Sequence, residues 1–457
     1  MSRVERGRPP APGPVRPFSF PKIRRRTLAN GLQVIVAELR RFPVVSVDLV
    51  MNAGAIAEAD DRSGVATLVT GLLESGTEDL TADQIAERTD DLGLSLETGT
   101  GWDTAQIGFS ALRARMTEGL ELLAAMVLRP TFPRAEVDRL RAEQVGTLAN
   151  RRADPSGLAG ELFNLYTYAP GTPFTRPLGG TAESMGRVTR AEVEEFHAAR
   201  FRPGGSSLVA AGDVTLEDVV ELAERFFGGW SGDAPPVLLP EVKPRLDHAA
   251  IFIADRPGAV QSELRIGHVG VERTTPDFIP ILVLNTLLGG SFSSRLNMNL
   301  RERLAYTYGA SSNWSVRRQE GSFYASTGVQ TEVTAHAVEE ILGELRGVRE
   351  AEVTARELRD ASDYLAGVFP LGVETTTGVG SRLVSIATYD LPDDYYDRYR
   401  ERVLGVTAAE ILDVARRRIH PERAAIVVTG DAAKIRAPLE ALGVGPVEVV
   451  DPAALLR

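Results

Sequence analysis

Cysteine is absent from the 457 residues. That excludes disulfides, thiol nucleophiles and thiolate metal sites. It leaves the compartment open, because a cysteine-free chain folds equally well in reducing or oxidising surroundings. Histidine is scarce. His197, His248, His268, His336 and His420 are scattered, no two of them three or four residues apart, so no pair has the spacing of metal ligands on a helix. Positive charge is not in excess: 51 Lys and Arg face 62 Asp and Glu, a net charge of -11, which argues against a nucleic-acid partner. No run approaches the roughly 18 apolar residues of a membrane span. The opening stretch, MSRVERGRPPAPGPVRPFSFP, lacks the apolar core of a secretory signal. Its prolines would also break an amphipathic targeting helix. Residues 1–24 are expected to form a flexible, proline-rich arm, and the expected location is the cytoplasm. What remains is 43% hydrophobic and 25% charged, the balance of a soluble globular protein with material for more than one core.

The chain is written twice. Val188 to Asp213 reads VTRAEVEEFHAARFRPGGSSLVAAGD, and Val406 to Asp431 reads VTAAEILDVARRRIHPERAAIVVTGD. Both begin Val-Thr-x-Ala-Glu and end Gly-Asp, at an offset of 218 residues (Val188 to Val406). Each copy predicts a helix, a turn and an apolar strand (Ser207–Ala211; Ala424–Thr429), then a second helix (Leu216–Phe227; Ala432–Leu442). Upstream, Ala135-Glu136-Val137 resembles Ala355-Arg356-Glu357-Leu358. Same-order elements at a similar offset mean duplication rather than a short-period solenoid. Gly228-Gly229, Asp233-Ala234-Pro235-Pro236 and Pro240 to Pro244 form a linker by composition. The expected organisation is a domain over 25–230, a linker over 231–247 and a second domain over 248–457. Asn30-Gly31 is a hairpin turn signal, Val44–Met51 a strand, and Thr117–Leu128 and Val137–Asn150 helices. Paired strands and blocks of helices predict an α+β class: two homologous domains, each a largely antiparallel sheet with helices packed on one face.

Gly64-Val65-Ala66-Thr67-Leu68-Val69-Thr70-Gly71-Leu72-Leu73-Glu74-Ser75-Gly76-Thr77, with Asn30-Gly31-Leu32 and Asn52-Ala53-Gly54-Ala55 before it, resembles the pitrilysin/insulinase (M16) family of zinc peptidases, the inverzincins. The resemblance runs from about residue 25 to the end and includes the duplication. The family's inverted motif, His-x-x-Glu-His, would fall on Thr67, Thr70 and Gly71. Two imidazoles one turn apart hold Zn²⁺ and a carboxylate activates its water; threonine and glycine supply neither. Aligning a family glutamate with Glu143 puts the third ligand position at Asn150. No metal is therefore expected in this chain.

A second stretch, Leu287 to Gly309, reads LLGGSFSSRLNMNLRERLAYTYG. An apolar helix (Ile281–Leu288) should stop at Gly289-Gly290, and a serine-rich cap should start the next. Arg301 sits near that helix's end, where a cation suits the dipole. A strand is expected from Tyr306 to Val316, returning through Glu320-Gly321 into Ser322–Thr327. Gly289-Gly290-Ser291 lacks the spacing of a phosphate loop. The stretch is similar to the C-terminal domain of the family's zinc-less subunits. There an Arg and a Tyr hold the substrate's scissile carbonyl, which implies Arg301 and Tyr308 here. A guanidinium and a phenol suit a developing oxyanion. Arg301 as a plain helix cap and Tyr308 as a half-buried strand aromatic stand beside that reading. Tyr306, on the same strand face by the period of two, competes for the tyrosine role.

The resemblance implies a non-metal-binding subunit of a heterodimeric zinc metallopeptidase. Such a subunit is inactive alone and holds the peptide substrate for a homologous His-x-x-Glu-His partner that carries the zinc. The alternatives are a structural or peptide-binding subunit with no proteolytic role and a homodimeric peptide binder.

Overall fold

A computed structural model describes residues 17–239 and 241–455. Residues 1–16 of the expected arm lie outside the described residues. The arm ends before residue 24: Ile23 and Arg24 already belong to the first strand. Phe18 packs edge-on against Phe369, Phe20 lies against Tyr396, and the Phe20 N–H donates to Asp397 at 3.1 Å.

Twelve strands make two six-stranded sheets. The first holds β1 (Ile23–Thr27), β2 (Gln33–Glu38), β3 (Val44–Met51), β4 (Ser95–Thr100), β5 (Ala105–Leu112) and β6 (Ser207–Gly212), in the order β1-β2-β6-β3-β5-β4. The second holds β7 (Ala250–Asp255), β8 (Gln261–Val269), β9 (Ala310–Ser315), β10 (Ser322–Gln330), β11 (Ala425–Gly430) and β12 (Val447–Val450), in the order β12-β7-β11-β8-β10-β9. Each sheet is antiparallel except where β2 runs beside β6, β7 beside β11, and β12 beside β7. The two orders superimpose if β12 takes the place of β1. The class is thus the expected α+β arrangement of two similar halves.

The duplication is visible element by element. Helix Arg190–Arg200 and strand β6 lie 218 residues before helix Ala408–Arg418 and β11. Gly212 and Gly430 both end a strand that a helix follows. The shared Val-Thr-x-Ala-Glu signature is a capping box. Thr189 and Thr407 accept from the N–H groups of Glu192 and Glu410, whose carboxylates accept from the threonine N–H in return. That arrangement satisfies two otherwise orphaned donors at each helix start.

The sheets also carry a helix on the face away from their own helical layer. Helix Thr376–Tyr389, from the C-terminal half, lies across β2, β3 and β6; helix Pro155–Thr167, from the N-terminal half, lies across β8 and β11. Glycine lets each approach closely. A Cβ at Gly380 would sit 3.0 Å from Oγ of Ser46, and one at Gly160 would sit 2.8 Å from Nη1 of Arg265. Covered on both sides, the inner strands read as near-continuous apolar runs, Val34–Ala37 and Leu208–Ala211 being fully buried. The exchange merges the cores, so Ile35, Val50 and Val209 of the first sheet share a cluster with Leu383 and Ile386. No helix among the described residues is long and apolar enough to cross a membrane.

Candidate functional site

Two regions hold the residues singled out by sequence. Thr67, Thr70 and Gly71 lie on helix Val65–Leu72. Its N-terminus is capped by Glu58, whose carboxylate accepts from the N–H groups of Gly64 (3.0 Å) and Ala66 (2.8 Å) and pairs with Arg176 at 2.9 Å. Burial pushes Glu58 up to about 7, against the pull of Arg176 and the two amides. Thr70 is buried; its hydroxyl donates to the Ala66 carbonyl at 2.9 Å and accepts from the Thr100 hydroxyl at 2.8 Å. The Thr67 hydroxyl is buried without a hydrogen-bond partner.

Gly71 faces helix Arg134–Ala153, where a Cβ would come 3.0 Å from Cδ2 of Leu140. At about 100° per residue, the face carrying Leu140 recurs seven positions later at Thr147. Asn150, ten positions on, is turned off that face and exposed. Leu140 is the residue of that helix that lies against Gly71, and Asn150, the expected third position, stands ten residues further along on the exposed side. Ligand spacing along the sequence is hard to align where a helix carries few anchors. Hydroxyls, a glycine and a leucine do not fit zinc, which takes imidazole, thiolate or carboxylate. Among the described residues there is no group of three or more His, Asp or Glu placed to hold a metal ion.

The second region is the segment from Ser291 to Gly309. Helix Phe278–Asn285 continues through a wider turn, Thr286–Gly290, and stops at the glycines as expected. The chain beyond is tied down on three sides. Asn297 donates to the Phe292 carbonyl (2.7 Å), Asn299 to Glu340 and Glu344 (2.8 Å each), and Arg295 grips Glu357 through two bonds (2.7 and 3.2 Å). Partial burial opposes ionisation of Glu357, but Arg295 and the Thr354 donors outweigh it and hold its carboxyl at about 2. Arg301 therefore sits on an anchored wide helical turn, Met298–Arg303. Its guanidinium lies 4.6 Å from the ring centre of the exposed Phe292 and 3.4 Å from Glu302.

The tyrosines part company after that turn. The strand begins at Ala310, not Tyr306, so the period-of-two argument that put both tyrosines on one face does not apply. Ala305 adopts a left-handed conformation (φ 54°), which costs a residue with a Cβ about 1–2 kcal/mol and reverses the chain. Tyr306 turns inward. Its ring packs on the core and its hydroxyl shares a 2.7 Å hydrogen bond with Nδ1 of His336, whose Nε2 faces Glu340 at 3.5 Å. Tyr308 turns outward and is 94% exposed. Tyr306 already has a partner; Tyr308 is free to meet something outside the chain. No sequence signal pointed to His336, an isolated histidine.

Comparison with known proteins agrees with this architecture. Residues 34–153 match the sequence profile of the insulinase family (peptidase family M16), and residues 187–365 that of the peptidase M16 inactive domain. The chain belongs to the M16 peptidase family. An uncharacterized zinc protease of Mycobacterium leprae is 26% identical over 363 residues, covering 79% of this chain and 81% of that one. An uncharacterized zinc protease of Bacillus subtilis is 23% identical over 365 residues, 79% of this chain and 87% of that one. Among solved structures, a peptidase M16 inactive domain from Pseudomonas fluorescens superimposes with a TM-score of 0.83 at 23% identity, covering 89% of this chain and 98% of that one. A protease from Helicobacter pylori gives 0.83 at 22%, covering 90% and 99%. The two solved structures share the fold, while residues 67, 70 and 71 of this chain are threonine, threonine and glycine.

Proposed function

We propose that this chain is the metal-free subunit of a two-chain M16 peptidase, holding peptide substrate for a homologous subunit that brings His-x-x-Glu-His and zinc. The observation that carries the reading is the contrast between its two regions. The metal positions are closed by hydroxyls and Leu140. Arg301 and Tyr308, in contrast, stand on an anchored segment with Tyr308 facing outward. A scaffold gains nothing from a bare phenol held out to solvent, whereas a phenol and a guanidinium are both donors suited to a carbonyl oxygen gathering charge.

Two further features support a partner and a peptide. Tyr308 lies two residues before β9, an edge strand; a peptide adding its backbone to that edge would carry its carbonyls past the phenol. Tyr364, Val368 and Leu371, spaced four and three residues apart on helix Ala355–Leu371, are 49%, 43% and 63% exposed. Such an apolar stripe suits burial against a second subunit.

The deciding experiment is coexpression with a His-x-x-Glu-His homologue. A stable pair that cleaves a fluorogenic peptide and loses activity to a chelator supports the reading. A homodimer with no activity, or a pair equally active without this chain, would hand the case to a structural or peptide-binding role.

A further inference from the structure

Where the two halves meet, hairpin β4–β5 presents Trp102 and Asp103, and the chain leaving β9 presents Arg317 and Arg318. The Arg318 N–H donates to the Asp103 carboxylate at 3.1 Å, and its guanidinium bonds Asn52 (2.7 Å) and the Thr388 carbonyl (3.0 Å). Arg318 is thus accounted for. Arg317 is not. It is 6% exposed, yet its guanidinium makes no hydrogen bond or ion pair among the described residues, and its Nη1 is buried without a partner. It lies instead among ring faces: Phe174 at 4.1 Å, Trp102 at 5.1 Å and Tyr168 at 5.9 Å. Among the described residues Asp103 is the one carboxylate whose field acts on it, and that carboxylate is already engaged by Arg318 and the Tyr389 hydroxyl. A buried unpaired charge costs several kcal/mol unless something compensates it.

Arg317 lines an open cavity of about 280 Å³ between the halves, walled by Trp102, Asp103, Thr104, Ser385 and Tyr389, the Asp103 carboxylate being the one held by Arg318 and Tyr389. Arg273 is buried nearby: its backbone N–H donates to the Arg317 carbonyl at 2.7 Å, and its guanidinium lies 5.8 Å from the ring centre of Tyr389, which lines the cavity.

We infer that this interdomain cavity binds a small oxyanion, a carboxylate or a phosphate, with Arg317 as its cationic anchor. A planar guanidinium with an unpartnered Nη1 is matched to the oxygens of such a group, and Thr104 and Ser385 line the same space. Trp102, Val316 and Val384 give the cavity an apolar side, so an organic acid or a peptide's terminal carboxylate fits as well as a free ion. Because both halves and helix Thr376–Tyr389 contribute walls, the bound ion would brace them in one relative setting. The inference is independent of the peptidase role and needs no second subunit.

The test is titration of the full chain with inorganic phosphate at constant ionic strength, followed by calorimetry and by tryptophan fluorescence. Saturable binding near one ion per chain is expected, with the fluorescence change lost in Trp102→Phe. Arg317→Met keeps the stem against Phe174 and removes the charge; it should weaken binding at least tenfold with circular dichroism unchanged. If that variant fails to fold, Arg317→Lys, which keeps the charge and loses the fork, should still weaken binding several-fold. A peptide ending in a free carboxylate that displaces phosphate, when its amide does not, would identify a peptide terminus as the source; failure to displace would leave free phosphate. Absence of saturable binding, or binding equal in the native chain and the folded Arg317 variants, overturns the inference.

Discussion

Tyr308→Phe separates a catalytic from a structural reading because the structure predicts opposite outcomes for its neighbour. Tyr308 is 94% exposed and no described contact depends on its hydroxyl. Deleting one oxygen from such a surface side chain should change folding stability by less than about 0.5 kcal/mol. If the phenol instead donates to a substrate oxyanion in the assembled pair, its loss should lower turnover about 10²–10³-fold, roughly 2.7–4 kcal/mol of transition-state stabilisation. Tyr306→Phe should behave in reverse. Its hydroxyl is spent on His336 at 2.7 Å, a bond worth about 1 kcal/mol net, so the melting temperature should fall by a few degrees while turnover stays near native. The assay is single-turnover cleavage of a fluorogenic peptide by the reconstituted pair, with calorimetry and size-exclusion of each variant. Native turnover in Tyr308→Phe would remove the phenol from the chemistry, and a collapse in Tyr306→Phe without loss of stability would mean the roles had been assigned to the wrong ring.

Other expectations follow from single contacts. Elemental analysis of the purified chain should find no stoichiometric zinc, since Thr67, Thr70, Gly71 and Leu140 offer no competent donor set; one tightly held zinc per chain would contradict that. Burial raises Glu58 to about 7 from 4.5, so the stability it confers is complete below about pH 4.5 and is lost as pH rises through 7. Glu58→Gln cannot ionise, so its thermal unfolding should vary less between about pH 5 and 8 than that of the native chain, and an unchanged slope would refute the assignment. Thr189→Ala and Thr407→Ala should each cost about 1 kcal/mol in denaturant unfolding, because they remove the same capping box from the two copies; a large cost in one and none in the other would break the equivalence of the repeats.

The repeat could be read from sequence because the offset is constant across helix, turn and strand, and capping boxes with glycine strand ends leave residue-level marks. The exchange of helices between sheets left almost none. A periodic apolar pattern says that a helix covers a sheet, not which sheet, and the helices Pro155–Thr167 and Thr376–Tyr389 look ordinary until their glycines are seen against Arg265 and Ser46. The site divided in the same way. Identities that remove a metal are visible in one line of sequence, since no fold turns Thr67 or Gly71 into a ligand. Orientation was not visible. Treating Tyr306–Val316 as one strand put both tyrosines on the same face, and the early reversal at Ala305 undid it. What distinguishes them is tertiary: His336, thirty residues on, engages one hydroxyl and leaves the other in solvent. The same reasoning applies to Arg317. Its charge is plain in the sequence, but only the surrounding rings and the missing carboxylate make it a binding group rather than a surface arginine. For Tyr308 and Arg317 the argument for function rests on polar atoms for which no internal partner is seen among the described residues, and that property belongs to packing rather than to motif.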